Sequence, residues 1–167
     1  MNHLLMVVVS LFAAVIESLM PTLHILGQGE APIVLGVVMY YALTRERHMV
    51  VKAAIVAGIF YDALCYNVPP GFSAIAYVII GLMVNHYRDK ILGGHWVTHM
   101  FLGVLSSLMI TVMMYAMLVT RGNQITVGGM LIKALGVMLM SLAVIPLVFK
   151  IVERLDYKLG NVELREI

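Results

Sequence analysis

The stretch AAIVAGIFYDALCYNVPPGFSAIAYVIIGLMV, residues 53–84, decides the fold. Two apolar segments flank the sequence NVPPG, and a single carboxylate, Asp62, lies within the first segment. Pro69, Pro70 and Gly71 cannot continue a helix and predict a stiff turn between the two segments. The stretch therefore predicts a helical hairpin that carries one acid about a turn before the end of its first helix.

The composition around this hairpin indicates an integral membrane protein. The 167 residues are 62% hydrophobic with a mean hydropathy of +0.97, and only 12% are charged. Soluble domains are typically about 45–50% apolar, so this chain lies well outside their range. The single cysteine excludes an internal disulfide. The first apolar segment lacks Lys or Arg before it and a small-residue cleavage site, so we expect a retained helix there, not a signal peptide.

Six apolar segments are candidates for membrane-spanning helices. The first, fifth and sixth are long enough for the roughly 20 residues that a span requires. The second is short, so it must be packed among other helices, lie in a thinned bilayer or be partly re-entrant. The segments are residues 4–26, 31–44, 49–66, 72–86, 97–120 and 126–152.

The positions of the basic residues predict the orientation of these spans. With the N-terminus in the cytoplasm, nine of the eleven Lys and Arg residues lie on the cytoplasmic side. Only Arg121 lies in an outer loop, while Lys133 lies within the sixth span. The positive-inside rule therefore favours a six-helix transmembrane bundle, an all-α fold with both termini cytoplasmic. Residues 1–152 form its single domain.

Residues 153–167 are expected to form a cytoplasmic or interfacial helical tail. Ile151, Val152, Leu155 and Leu159 share one face of this continuation, and Gly160 is a candidate helix end. A solvated helix end and a docking site for a partner both explain the tail.

Small residues mark the helix-packing faces. Ala54, Gly58 and Asp62 recur every four residues and therefore line one face of the third span. Small residues allow helix backbones to approach closely in a membrane, so Asp62 is expected to face protein, not lipid. In the first span, Ser10, Ala13 and Glu17 form a similar stripe.

Carboxylates at membrane depth are costly and usually find a partner in the bundle. Glu17, Asp62 and Lys133 are all predicted to lie in the outer half of the membrane. We therefore expect Lys133 to form an ion pair with Glu17 or Asp62; the alternative is that Lys133 extends alone towards the surface. Asp62 is interpreted first as a residue that holds the following turn, and second as a ligand or proton site.

Motifs for catalysis and metal binding are weak. His95 and His99 are four residues apart but lack the Glu of a metalloprotease motif, and His86 lies near the same edge. Ser73 and His99 lie at opposite ends of their spans, roughly a bilayer thickness apart, which excludes a serine protease pair. The sequence thus predicts no catalytic residue, metal or other cofactor, and no nucleic-acid partner.

The chain resembles the MreD family of rod shape-determining membrane proteins. The likeness lies in the six apolar spans with short loops, in APIVLGVVMYYALTRER with its leading Pro32, and in the residues 53–84 quoted above. It is strongest over residues 30–90. Ile33 departs from the pattern, because an acid often follows the proline in the family, and NVPPG replaces a shorter polar-Gly turn.

This resemblance implies a non-enzymatic scaffold of the bacterial cell-elongation machinery. Such a protein lies in the cytoplasmic (inner) membrane and binds the bitopic protein MreC, and through it the MreB cytoskeleton and the peptidoglycan synthases. A homodimer is compatible with the sequence.

The family is also similar in fold to the substrate-binding subunits of energy-coupling factor vitamin transporters, which implies an alternative function in small-molecule capture. A scaffold predicts a filled outer bundle and an apolar groove for its partner. A transport subunit predicts an outer cavity with convergent polar groups, which Glu17, Asp62 and Lys133 would line.

Overall fold

The structure, a computed structural model, describes residues 2–20, 30–64, 69–88, 96–122 and 127–158. Within these ranges the chain is helical without strands, which confirms the predicted all-helical class. Each predicted apolar segment corresponds to one helix, with ends that differ by a few residues. The six helices are α1 (Asn2–Leu19), α2 (Ile33–Thr44), α3 (Arg47–Leu64), α4 (Phe72–Tyr87), α5 (Trp96–Thr120) and α6 (Val127–Lys158).

The short helix α2 is the centre of the bundle. Its residues from Val34 to Ala42 are all buried, because α2 packs against α1, α3, α4 and α6. A helix that is apolar on every side is stable only when its whole circumference is covered, and α2 meets that condition. Its 12 residues rise only about 18 Å. Of the three interpretations of the short second segment, packing among other helices is the arrangement observed.

Helices α3 and α4 form the hairpin that the sequence predicts, and they touch through backbone. A Cβ atom placed on Gly58 would overlap with the backbone N and Cα of Ala74. Ala54, one turn earlier on α3, is fully buried. Gly71 precedes α4 with φ of 91°, a left-handed conformation that glycine adopts without a steric penalty. The small residues of α3 thus allow the closest helix contact in the hairpin.

Helices α5 and α6 pack mainly on each other and present wide apolar faces outwards. Two segments, Val97–Thr120 and Gly128–Lys158, are long and apolar enough to cross a membrane by length and composition. The apolar helices His3–Leu19, Ile33–Thr44 and Phe72–Tyr87 are shorter. Large apolar side chains such as Val97 and Leu135 are more than half exposed on these faces.

The C-terminal part of α6 lies where the sequence predicts a helical tail. The helix continues unbroken to Lys158, and its buried positions there are Val152 and Asp156. Ile151 and Leu155, which the sequence pattern assigned to an apolar face, are exposed. The rotation of α6 about its axis places Asp156 against its polar partners and leaves the apolar side chains of Ile151 and Leu155 exposed. Leu159, Gly160 and the rest of the tail lie outside the described residues.

Candidate functional site

A cavity of about 580 Å³ opens beside the N-terminal end of α2 and is here called the Glu17 cavity. Helices α1, α3, α4, α5 and α6 all contribute to its wall. Such a volume lies within the range of about 300–1,000 Å³ that small-molecule sites occupy. Its polar lining residues are Glu17, Ser18, Glu30, Tyr61, Ser73, Tyr77, Thr111, Tyr115, Arg121 and Lys133.

Glu17 joins α1 to the start of α2. The backbone N–H of Val34 donates a hydrogen bond of 2.7 Å to Glu17 Oε2. The first N–H groups of a helix have no partner within it, and a carboxylate there also interacts favourably with the helix dipole. Pro32 at the N-cap has no side-chain acceptor for these N–H groups, so the side chain of Glu17 supplies part of the missing cap. This role explains an acid on the packing face of α1.

Glu30 connects two further helices at the cavity wall. Its Oε2 accepts a hydrogen bond of 3.3 Å from Tyr61 Oη, and its Oε1 lies 3.4 Å from Lys133 Nζ. The side chains of Lys133 and Glu30 are 34% and 41% exposed, so this ion pair is loose and partly solvated. The structure therefore pairs Lys133 with Glu30, where the sequence analysis expected Glu17 or Asp62. Glu30 lies between the first two predicted segments and was not among the predicted site residues.

Asp62 lies outside the lining of the cavity and acts on the turn that follows α3. Its Oδ2 accepts a hydrogen bond of 2.7 Å from the backbone N–H of Gly71. The carbonyl of Pro69 accepts from the N–H of Phe72, and Pro70 occupies the turn between them. This hydrogen bond agrees with the first interpretation of Asp62, as a residue that holds the turn before α4.

Ser73 presents an unpaired hydroxyl to the cavity. The residue is 2% exposed, lines the cavity, and its Oγ has no hydrogen-bond partner. A buried hydroxyl without a partner costs free energy, because it has lost its bonds to water. The same cavity therefore contains one unsatisfied polar group and one loosely held ion pair.

A second polar group lies at the other end of α2 and is here called the Asp156 cluster. It comprises Asp156 of α6, Tyr40, Arg45, Asn85 and Arg88. Tyr40 Oη donates a hydrogen bond of 2.8 Å to Asp156 Oδ2, and Arg45 Nη2 lies 2.7 Å from the same oxygen. The side chain of Asp156 is only 2% exposed. A buried charge needs such partners, so these contacts fix α6 on α2.

Helix α4 completes this cluster by capping the C-terminal end of α2. Asn85 Nδ2 donates hydrogen bonds of 2.8 Å to the carbonyl of Ala42 and 3.2 Å to that of Arg45. Arg88 Nη1 donates to the Arg45 carbonyl at 3.0 Å. The last carbonyls of a helix lack partners within it, so side chains from neighbouring helices supply some of the missing bonds at both ends of α2. A buried central helix requires this, because no water replaces those bonds.

The histidines in the described part of the chain do not assemble a metal site. His99 is buried and stacks on Phe149, with ring centroids 4.2 Å apart, while Phe149 also contacts Tyr40. His86 packs edge-to-face against Tyr87, and His95 lies outside the described residues. Within the described ranges, no group of three or more His, Cys, Asp or Glu residues is arranged to hold a metal ion. Ser73 belongs to the Glu17 cavity and His99 to the side of the Asp156 cluster.

The site residues thus fall into two groups that flank opposite ends of α2. Sequence reasoning identified Glu17, Asp62 and Lys133 but missed Glu30 and the whole Asp156 cluster. The one signal for Asp156 was an acid among the cations of a helix that continues beyond the apolar segment. No protein-family model, curated protein or solved structure matches this chain.

Proposed function

We propose that the chain is a multi-pass protein of the bacterial cytoplasmic membrane with six spans and both termini in the cytoplasm. Arg45 pairs with Asp156 of α6, and Arg88 donates to the carbonyl of Arg45, so the basic segments that surround these residues share one end of the bundle. Arg121 and the Glu17 cavity lie towards the other end. A single basic side agrees with the positive-inside rule and supports this orientation.

We further propose that it serves as a non-enzymatic scaffold of the cell-elongation machinery and binds an MreC-like bitopic partner. The observation that carries the proposal is the arrangement of the region that resembles MreD. Gly58 seats α3 on Ala74, and Asp62 holds the turn at Gly71. The residues that carry the resemblance are thus those that build the hairpin, and they leave outer helix faces available for a partner. Through that partner the protein would reach the MreB cytoskeleton and the peptidoglycan synthases.

A shallow apolar groove between α4 and α5 is the proposed seat of the partner's transmembrane helix. Small, apolar helix contacts are the usual means of association in a membrane. Met83 and Leu105, each 40% exposed, stand at the groove. The groove residues are Ile80, Met83, Val84, Tyr87, Leu102, Leu105, Ser106 and Met109.

Site-specific photo-crosslinking tests this proposal. A photoreactive residue placed at Met83 or Leu105 is expected to capture the co-expressed MreC-like protein, and the same residue at Leu139 of α6 is the matched control. Leu139 is apolar and 55% exposed but lies on another helix. Equal capture at all three positions would contradict the groove, and failure of the partner to co-purify would contradict the scaffold.

A second function, capture of a small molecule for transport, is favoured by the Glu17 cavity. Its volume and convergent polar groups are those expected of a substrate-binding subunit and differ from the filled outer bundle expected of a scaffold. Of the three residues expected to line such a cavity, Glu17 and Lys133 do so and Asp62 does not. Mass spectrometry of small molecules extracted from the purified protein tests this function. Recovery of a compound in near-stoichiometric amount would support capture. Extracts without such a compound, together with co-purification of the MreC-like protein, would support the scaffold function only.

A further inference from the structure

The Glu17 cavity offers polar groups that the fold itself leaves unused. Glu17 accepts a hydrogen bond from the backbone N–H of Val34, yet a carboxylate has about four acceptor positions. Ser73 Oγ is buried without any partner although it lines the cavity. A ligand with a hydrogen-bond donor would satisfy both groups, because Ser73 and Glu17 each accept hydrogen bonds.

Acidic and basic side chains line the cavity in equal number. Two acids, Glu17 and Glu30, and two bases, Arg121 and Lys133, line it. A ligand with a net charge would disturb this balance, whereas a dipolar ligand would not. The ion pair between Lys133 and Glu30 is long and partly solvated, so an anionic group of a ligand can compete for Lys133 at little cost.

We infer that the Glu17 cavity binds a compact zwitterion that carries an ammonium group and an anionic group. The ammonium group binds Glu17 and Ser73, and the anionic group binds Lys133. Met114, Met117 and Leu118 supply an adaptable apolar wall for the body that joins the two groups. This inference rests on the second proposed function and names its ligand class. A free amino-phosphate and the headgroup of phosphatidylethanolamine share the required chemistry.

Thermal unfolding of the purified full chain in the presence of defined probes tests the inference. The soluble probes are phosphoethanolamine, ethanolamine without the anion and glycerol phosphate without the amine. We expect phosphoethanolamine to raise the unfolding midpoint by several degrees in a saturable manner, and the two half-ligands to have much smaller effects. Nanodiscs of phosphatidylethanolamine and of phosphatidylglycerol form the lipid arm. Stabilisation in the first nanodisc alone, without an effect of free phosphoethanolamine, identifies a lipid headgroup.

Matched variants locate the binding site. Glu17→Gln keeps an oxygen acceptor for the N–H of Val34 but removes the negative charge. We expect this variant to bind the zwitterion about tenfold more weakly or worse. Glu46→Gln makes the same change at an acid whose side chain is 81% exposed, and it should leave binding unchanged. Ser73→Ala removes only the unpaired hydroxyl and is the second variant if Glu17→Gln does not fold.

Several results would overturn the inference. They are the absence of stabilisation by either zwitterion source, equal stabilisation by glycerol phosphate, or unchanged binding in both Glu17→Gln and Ser73→Ala. If extracts of the purified protein contain a compound of another class, the capture function is supported and the proposal of a zwitterionic ligand is rejected. Empty extracts and an unchanged midpoint with every probe would reject both.

Discussion

Each end of α2 carries a carboxylate whose burial costs free energy, but the surroundings of the two carboxylates differ. At one end the carboxylate of Asp156 is sealed between Tyr40 and Arg45. At the other end Glu17 caps the helix but borders a cavity of about 580 Å³, where Ser73 has no partner. A group whose bonds are complete stabilises the fold, whereas incomplete bonds leave capacity for something else. Arg45 Nε and Tyr41 Oη near Asp156 also have no partner among the described residues, but neither residue lines the Glu17 cavity. The cavity beside Ser73 therefore separates a candidate binding end of the bundle from a structural end.

Asp156→Ala is expected to have the largest effect on this comparison. It leaves Arg45 and Tyr40 with buried groups that have lost their acceptor, which typically costs about 3–5 kcal/mol. The midpoint of thermal unfolding, followed by size-exclusion chromatography after heating, should fall steeply. Glu153→Ala removes an acid one turn earlier that is only partly buried, and it is the control. Equal midpoints for the two variants would show that the cluster does not hold α6 on α2.

Gly58→Ala tests the packed hairpin that joins the two ends. The added methyl group would overlap with the backbone of Ala74, so α3 and α4 must separate, at an expected cost of about 3 kcal/mol. Gly129→Ala is the matched control, because nothing lies within 4 Å of a Cβ placed there. The control should be neutral or slightly stabilising, since alanine favours a helix by up to about 1 kcal/mol. A tolerated alanine at position 58 would refute the close contact.

Asp62→Ala should give an intermediate effect. It removes the acceptor of the Gly71 N–H and thereby loosens the entry into α4, at a cost of about 1–2 kcal/mol. Hydrogen exchange should increase at the first residues of α4, while the exchange of α5 and α6 remains unchanged. Asp62→Asn keeps an oxygen acceptor and should recover most of the stability. An equal loss in both variants would argue for a role of the negative charge itself.

Lys133→Met is expected to have the smallest effect on stability. Its pair with Glu30 is long and half solvated, so its loss should cost less than about 1 kcal/mol. Lys133→Met and Asp156→Ala each break an ion pair of α6, so the difference between their unfolding midpoints compares the two ends of the bundle directly. A loss as large as that of Asp156→Ala would mean that the cavity end is as rigid as the sealed end.

Local features of the fold could be predicted, and distant pairings could not. The hairpin and the contact of Asp62 with Gly71 follow from a separation of only nine positions and from the prolines and small residues in this stretch. Arg45 and Asp156 are 111 positions apart, and no pattern in either segment reveals that they meet. Glu30 was missed because its segment reads as a loop, yet it supplies the partner of Lys133. Only the packing of all six helices brings such residues together.

Helix α6 gives the two ends of the bundle a mechanical connection. Lys133 near its start contacts the cavity, and Asp156 near its end holds the sealed cluster, roughly 35 Å further along one continuous rod. Pro146 lies between them and removes one hydrogen bond from the helix ladder, which makes it the point of least bending stiffness. A displacement of α6 at the cavity therefore either moves Asp156 as well or is taken up as a bend of the helix at Pro146.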